Sequence, residues 1–531
     1  MSSFLVFLAA LVLTLALTPP LARIAPRLGF LDQPDQRKHH SQPMPRIGGI
    51  AMVVGACGAA AFSRYGMALA PYLSGMVIIA CFGAWDDRSD LNYRLKLLGQ
   101  ALASAVVIFG GGVLVSELSP LLPSALTGGA AIAASFFFLI AATNAVNLSD
   151  GLDGLAAGLS ALSLGALALM CQEASQFHLL SLVLALLGSC LGFLRFNTHP
   201  ARLFMGDAGS QFLGFSLGVL VLLVTHSQET PYSPVLPLFL LGVPFFDTLL
   251  VIIRRLVAGR SPFQPDRNHL HHRLLALGFG HYEVVCILYV AQAALVSSAF
   301  LLRFESDLLL LSLYIGFVLV TALALKILEK RRFSRASLSL RSPERAKRSR
   351  WENLLSRVLT AAVLLGLCGF MLLVAAGLEW RGLWVVALIL LSLLLVLSSR
   401  VLPLAVAPIV YLVVALIVYR FEFQLTHLAS TQLANLYFFA MALLVVGGMR
   451  YSIRTRFEIT TLDFLLILMV LAIPALGSPV LWGSMGGRAV AETVLLIYAS
   501  ELVRCSALGQ RALSLTAPAA LLAGVGLSLV M

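Results

Sequence analysis

The sequence predicts an all-α fold, a polytopic transmembrane helical bundle, and three observations carry that expectation. The first is composition: of 531 residues, 59% are hydrophobic and 12% charged, with a mean hydropathy of +0.93. Soluble domains carry roughly 25% charged residues, so a soluble multidomain enzyme and a disordered chain are both excluded. The second is that apolar stretches approaching the ~20 residues a spanning helix needs recur about eighteen times. The third is that Lys and Arg are sorted into alternate gaps between those stretches.

In order, the predicted spans fall near residues 3–20, 47–63, 69–84, 97–115, 129–146, 154–171, 178–194, 209–225, 235–253, 284–302 and 308–326. The first begins Met-Ser-Ser, with no basic segment ahead of it, and ends in Pro19-Pro20 without a small-residue cleavage site, so it reads as a retained span. Seven further spans follow, near 356–378, 383–399, 401–419, 431–449, 462–480, 490–507 and 512–531. Between the two sets lies the stretch 329–350, with nine Lys/Arg and two Glu. The expected organisation is a membrane-embedded catalytic domain over 1–328, a basic linker over 329–352 and a C-terminal membrane region over 353–531.

Gaps 21–46, 85–96, 144–153, 195–208 and 254–283 hold fifteen Lys/Arg, while the intervening gaps hold only Arg64 and Arg303. This asymmetry places the first set, with the basic linker, in the cytoplasm. The net charge of +12 therefore reflects inner-face loops and a linker close to anionic membrane lipids. No fold is available to present it to nucleic acid. The seven cysteines all lie in apolar runs and form no CxxC or Cys/His cluster, so they read as packing residues.

The acids carry more than topology. Before residue 300, every Asp falls in a cytoplasmic gap or, for Asp247, in the inner half of a span. Acids gathered on one face of a bundle suit a polyvalent cation or a proton path. In WDDRSDLNYRLK, Asp86 and Asp87 repel unless a cation lies near, and oxygen ligands of this kind suit Mg²⁺; a solvated acidic loop is the alternative. In NAVNLSDGLDG, Asn144, Asn147, Asp150 and Asp153 recur every three residues around a helix end, with Gly151 and Gly154 allowing close backbone approach. In RFNTHPARLFMGDAGSQFLG, Asp207 sits where a helix begins, as a cation ligand or a helix cap, and Phe204 could stack on a flat base. In PDRNHLHHR, three His beside Arg267 and Arg273 favour phosphate contact over a transition metal, because the spacing and partners of a zinc site are missing. A further basic cluster, Arg37-Lys38-His39-His40, precedes Pro45-Arg46-Ile47-Gly48-Gly49. Together these point to Mg²⁺-assisted chemistry on phosphates at the inner interface.

At RKHHSQPMPRIGG, DDRSDLNYRLKLLGQ, NAVNLSDGLDGL, FNTHPARLFMGDAGSQFLG and HLHHRL, the chain resembles the polyprenyl-phosphate N-acetylhexosamine-1-phosphate transferase family, glycosyltransferase family 4. Those segments stand in family order over residues 1–328. Details look more like the branch that initiates O-antigen, enterobacterial common antigen or teichoic acid linkage synthesis. The resemblance implies attack by undecaprenyl phosphate on the β-phosphate of a UDP-N-acetylhexosamine, releasing UMP at the inner membrane of a bacterium. It further implies Mg²⁺, with Mn²⁺ as a substitute, and a homodimer among the assemblies expected. Carried over by residue, Asp207 resembles the principal metal ligand, and Asp86 and Asp87 the acidic pair acting at the metal or the acceptor phosphate. Asp150 resembles the buried catalytic helper. Asn147, Gly151, Leu152, Asp153, Asn197 and Phe204 resemble the nucleotide pocket. Lys38 and Lys96 resemble phosphate-contacting lysines, and Arg267, His269, His271 and His272 the loop that meets the diphosphate or sugar. Which acid serves as base stays open.

A multi-span transporter or lipid-carrier flippase, using the acids for ion coupling, is the rival. It predicts acids near mid-bilayer and inverted repeats, whereas here the acids sit at one interface and no internal repeat is visible.

Overall fold

The computed structural model describes residues 3–330, except 34–42, 118–119, 121–124, 227–230, 258 and 260–268, together with Leu465. Lys38, Arg267, most of the basic linker and the seven C-terminal spans therefore lie outside the described residues.

Each of the eleven N-terminal apolar runs falls on a helix. The helices are α1 (Ser3–Leu28), α2 (Gly48–Ala61), α3 (Gly66–Ser89), α4 (Tyr93–Ala105), α5 (Gly128–Leu148), α6 (Leu155–Glu173) and α7 (Phe177–Asn197). They continue with α8 (Gly206–Thr225), α9 (Pro237–Leu240), α10 (Gly242–Val257), α11 (Leu270–Ala276), α12 (His281–Leu301) and α13 (Asp307–Lys330). Among the described residues, eight are long and apolar enough to cross a membrane. The chain is an all-α multi-pass membrane protein. Among the described residues, one pair of two-residue strands, β1 (Leu31–Asp32) with β2 (Met44–Pro45), interrupts the helical pattern.

Four boundaries differ from expectation. α1 runs through Pro19 and Pro20 to Leu28 rather than stopping there. In a membrane, neighbouring helices can re-satisfy backbone groups freed by proline, and α1 is packed along α7 and α2. The run near 97–115 is helical only to Gly111, since α4 widens into a π turn at Val106–Gly110. The run at 235–253 is broken at Leu241 into α9 and α10. Glu329 and Lys330, assigned to the linker, instead close α13, where Glu329 accepts a 2.8 Å hydrogen bond from Arg273 Nε.

α8 is the axis of the bundle. It is buried along 94% of its most apolar stretch, against 17% for α13, and it packs on α3, α5, α2 and α6. Glycines make that packing possible: α2 meets α8 at Gly49 and Gly209, whose backbones touch. The five cysteines among the described residues form no disulfide, and Cys171 and Cys190 are buried packing residues as expected. The ends of α3 and α5 and the starts of α4 and α8 meet at one end of the bundle, and this end holds the acids.

Candidate active site

The site is built on the N-terminus of α8. A helix leaves its first N–H groups without intrahelical partners, and their dipoles favour an anion. Gly206, at φ +73°, turns the chain so that these groups face the last turn of α3. There Asp87 receives the Asp207 N–H on Oδ1 at 2.8 Å and the Ala208 N–H on Oδ2 at 3.0 Å. A Cβ on residue 206 would run into that carboxylate, besides demanding left-handed backbone. The sequence left Asp207 between helix cap and cation ligand. The cap is Asp87, contributed by another helix, so the Asp207 carboxylate is left to face the opening.

Asp86, the adjacent acid, points differently. Its Oδ1 accepts the Leu91 N–H at 2.7 Å and its Oδ2 pairs with the Lys96 ammonium. Lys96 Nζ also reaches Asp207 Oδ2 at 3.3 Å, so one ammonium bridges two carboxylates. Asp207 Oδ1 takes a 3.2 Å hydrogen bond from Asn147 Nδ2, which also donates to Ser210 Oγ at 2.9 Å. Asp86 and Asp87 are 4% and 8% exposed, whereas the Lys96 and Asp207 side chains are 36% and 32% exposed. The open edge of the cluster is therefore Asp207 with Lys96. Beside it, burial pushes the Asp150 carboxyl up to about 7, helped by the negative charges of Asp207 and Asp153 and opposed by Arg46. Three neighbouring acids, two of them sharing one ammonium, with an all-oxygen donor set, form a pocket short of positive charge. Such a pocket fits a hard divalent cation and, through it, a phosphate.

The second part of the site is the loop between α5 and α6. Asp153 Oδ2 accepts from His199 Nδ1 at 2.8 Å and from the Ala201 N–H at 3.1 Å. Burial opposes its ionisation, but these hydrogen bonds and the nearby imidazoles hold Asp153 below the usual carboxylate range. Asn197 is buried and used at both ends: Oδ1 accepts the Gly154 N–H and Nδ2 donates to the Leu203 carbonyl, both at 2.9 Å. It ties two loops together. Tyr289 OH donates to the Gly154 carbonyl at 2.7 Å from α12. Phe204 is pinned by its backbone, its N–H donating to the Pro45 carbonyl at 2.8 Å and its carbonyl accepting from Gly48 at 3.1 Å. Leu152 is buried, whereas Gly151 is exposed and lies against the His271 imidazole, where any Cβ would collide.

Of the three motif histidines, His269 and His271 are buried, at 5% and 3% exposure. His269 Nδ1 pairs with Asp247 Oδ2 at 2.9 Å, and Asp247 Oδ1 also receives the Leu270 N–H at 2.7 Å, capping α11. His272 lies 4.2 Å from the His271 ring. Burial, then the neighbouring His272, drives His271 down to about 3, so it is a neutral imidazole. One further cluster, Asp153 with His199 and His281, brings three potential ligand atoms within 4.8 Å of one another. The two imidazoles are stacked, at 4.0 Å and 21°, so their in-plane lone pairs do not converge on a common ion.

The structure thus brings together Asp86, Asp87, Lys96, Asn147 and Asp207 in one cluster, with Asp150 close enough to feel the charge of Asp207. Gly151, Asp153, Asn197, His271 and the start of α12 make a second group. Sequence reasoning passed over Gln100 and Gln211, which lie inside apolar runs and adjoin Asp207 in a hydrogen-bonded chain. A lone amide in an otherwise apolar span was the signal available. It also passed over His199, His281 and Tyr289, whose partners are distant in sequence.

The glycosyl transferase family 4 model matches residues 69–225, which run from α3 to the end of α8. A Bacillus subtilis protein named as a probable undecaprenyl-phosphate N-acetylglucosaminyl 1-phosphate transferase is 40% identical over 318 residues, 59% of this chain and 88% of that one. The decaprenyl-phosphate N-acetylglucosaminephosphotransferase of Mycobacterium tuberculosis is 35% identical over 320 residues, 54% of this chain and 79% of that one. The undecaprenyl-phosphate α-N-acetylglucosaminyl 1-phosphate transferase of Escherichia coli K12 is 31% identical over 290 residues, 53% of this chain and 79% of that one. With the acids, the lysine and the loop glycines of its motifs gathered at the start of α8, the chain belongs to glycosyl transferase family 4, among the polyprenyl-phosphate N-acetylglucosamine 1-phosphate transferases, and is a phosphoglycosyltransferase.

Proposed function

We propose that this chain transfers an N-acetylhexosamine 1-phosphate from its UDP-sugar to undecaprenyl phosphate, releasing UMP and forming a lipid-linked sugar diphosphate that initiates a cell-envelope polysaccharide. The observation that carries the reading is the charge-deficient cluster of Asp86, Asp87 and Asp207 around Lys96 at the N-terminus of α8. N-acetylglucosamine is the sugar named for all three relatives, and it is the first donor to try. The topology reading puts this end of the bundle on the cytoplasmic side of a bacterial inner membrane, with eleven spans here and seven in the C-terminal region.

Phosphoryl transfer asks a protein mainly for position and charge neutralisation. Asp207, with Asp86, would hold Mg²⁺, or Mn²⁺ in its place, and the bound ion supplies charge for the phosphates. Asp87 is occupied by two backbone N–H groups and acts by fixing the start of α8, which sets where Asp207 points. Lys96 lies at the open edge, able to meet a phosphate oxygen. Asp150, raised to about 7, is placed to hold or release a proton at neutral pH, which suits removal of the acceptor's proton. Gly151, Leu152, Asp153 and Phe204 surround the proposed nucleotide pocket, with Asn197 bracing its two loops. His269, held by Asp247, and neutral His271 shape the wall beside His272, and His272, Arg267 and Lys38 are the residues proposed to meet the diphosphate or sugar. A soluble nucleotide donor and a lipid-borne acceptor phosphate meet at the headgroup plane, which explains why this chemistry is built into helices that cross a membrane.

The transporter reading is not favoured, because the acids sit at helix ends and the relatives are named as transferases. Purified chain with Mg²⁺, undecaprenyl phosphate and a panel of UDP-sugars is expected to release UMP from at least one N-acetylhexosamine donor. Absence of UMP with every donor would overturn the proposal.

A further inference from the structure

Three helices each contribute two polar residues one turn apart, and the six form two layers. Lys96 and Gln100 are four apart on α4, Asn147 and Asn144 three apart on α5, and Asp207 and Gln211 four apart on α8. Such spacings put side chains on one helix face. α4 and α8 start at the acidic end and α5 finishes there, so Gln100, Asn144 and Gln211 all lie one turn deeper in the bundle. The upper layer is Lys96, Asn147 and Asp207, joined by contacts of 3.3 and 3.2 Å. The lower layer consists of amides alone.

Gln100 joins the other two amides, and its bond to Asn144 is reciprocal, since Gln100 Nε2 also donates to Asn144 Oδ1 at 3.4 Å. Asn144 Nδ2 donates to Gln100 Oε1 at 2.9 Å, and Gln100 Nε2 donates to Gln211 Oε1 at 3.4 Å. Gln211 Nε2 then faces Asp207 Oδ2 at 3.5 Å. Because Gln211 must turn its carbonyl to Gln100, its NH₂ is the end presented to Asp207. Gln100 and Gln211 are each 3% exposed, whereas Asn144 is exposed on the flank and turns its Nδ2 inward. Uncompensated amides in the apolar part of a membrane protein are costly, so a chain of three that bond to one another and end on the Asp207 carboxylate has a use.

We infer that Gln100, Asn144 and Gln211 form a positioning floor beneath the active site, holding α4, α5 and α8 in register so that Lys96, Asn147 and Asp207 meet. This rests on the reading of Asp207 as the cation ligand under the proposed function. The floor touches no substrate. It acts through the layer above, as outer-sphere groups orient metal ligands, where loss typically costs about 10–100-fold in affinity or turnover.

The test uses full-length purified chain and two readouts: Mn²⁺ binding followed by electron paramagnetic resonance without substrates, and kcat and KM for the donor. Gln100→Leu is expected to weaken Mn²⁺ binding and lower kcat by about tenfold each, with donor KM changed by less than about threefold. Exchanging the partners, Gln100→Asn with Asn144→Gln, moves one methylene across the pair and is expected to restore both readouts to within about threefold of the parent. Binding and kcat of Gln100→Leu within about twofold of the parent would overturn the inference, as would an exchanged pair no better than the single variant. If Gln100→Leu does not give monodisperse protein, Gln211→Met, which removes the donor to Asp207 and the acceptor of Gln100, is read by the same criteria. Asp207→Asn separates the two claims. If it keeps Mn²⁺ binding, the cation reading falls; if it loses binding while the amide variants do not, only the floor falls.

Discussion

The two ends of the helical bundle are both charged, yet they are built on opposite rules. At the end away from the site, Glu173 at the close of α6 takes the Arg303 guanidinium on both oxygens and a 3.2 Å hydrogen bond from Tyr232 OH. Arg303 is further covered by the rings of Phe300 and Phe304, at 4.2 and 4.5 Å. Asp307 nearby accepts from Ser233 Oγ at 2.5 Å. The Glu173 charge is matched by Arg303 and its hydrogen-bonding capacity used, and the result joins α6, α12 and the loop before α9. At the other end, Asp86 and Asp207 share one ammonium, Lys96, Asp87 is held by backbone N–H groups, and the partly exposed Asp207 carboxylate is left facing the opening. A self-neutralised cluster stabilises; a cluster short of charge is completed by something that binds.

That contrast can be broken by substitution. The largest expected effect is at Asp207: Asp207→Asn keeps size and packing but should lower UMP release by about 10³-fold or more, since an electrostatic ligand to developing charge is removed. Near-normal turnover would take Asp207 out of the site. Lys96→Met should follow, with kcat down by about 10²-fold, because the ammonium is the only side-chain cation paired with these acids among the described residues. Retained turnover would mean that the bridge is merely structural.

At the opposite end the same kind of change should affect stability and leave chemistry alone. Glu173→Gln is expected to cost about 1–3 kcal/mol in thermal unfolding while kcat stays within about twofold. A catalytic defect in the folded variant would contradict the division of labour between the ends. A stability effect of similar size, confined to the higher pH range, is expected for Asp150→Asn. Folded Asp150 holds its proton to about pH 7 and an unfolded Asp releases it near 4, so the folded state binds more protons between these values and stability falls as pH rises through that window. The Asn variant should therefore match the parent near pH 4, gain on the order of 1–3 kcal/mol by pH 8, and show a flatter pH–stability curve. A curve of unchanged slope would show that Asp150 ionises normally. The smallest effect is expected from ending the chain near residue 345: a folded, membrane-inserted protein of that length should retain transferase activity. Its loss would bring the C-terminal region into the catalytic unit.

Much of this was legible in the sequence. Composition and run length anticipated the helices because a membrane imposes one rule on every span: backbone groups must be satisfied internally. The gaps also placed Asp86, Asp87, Asp150, Asp153 and Asp207 together in principle, since alternate gaps must share a side. Boundaries were less legible where packing overrides propensity, as with the prolines inside α1. Roles were least legible where two like residues stand side by side. Nothing in Asp86-Asp87 says that one will pair with Lys96 and the other will cap α8, because successive residues on a helix point about 100° apart and their partners come from elsewhere in the chain.

The sequence by itself determined that this is a multi-pass helical membrane protein whose aspartates before residue 300 gather at one end, and its motifs named the family. Only the tertiary structure decided which acid is exposed and which is committed, that His269 is held by Asp247 and Asn197 braces two loops, and that three amides lie beneath the acids. The physical reason is that an apolar solvent acts on each segment separately and leaves its mark in local composition. Hydrogen-bond partnership is settled only when helices distant in sequence come within about 3 Å of one another.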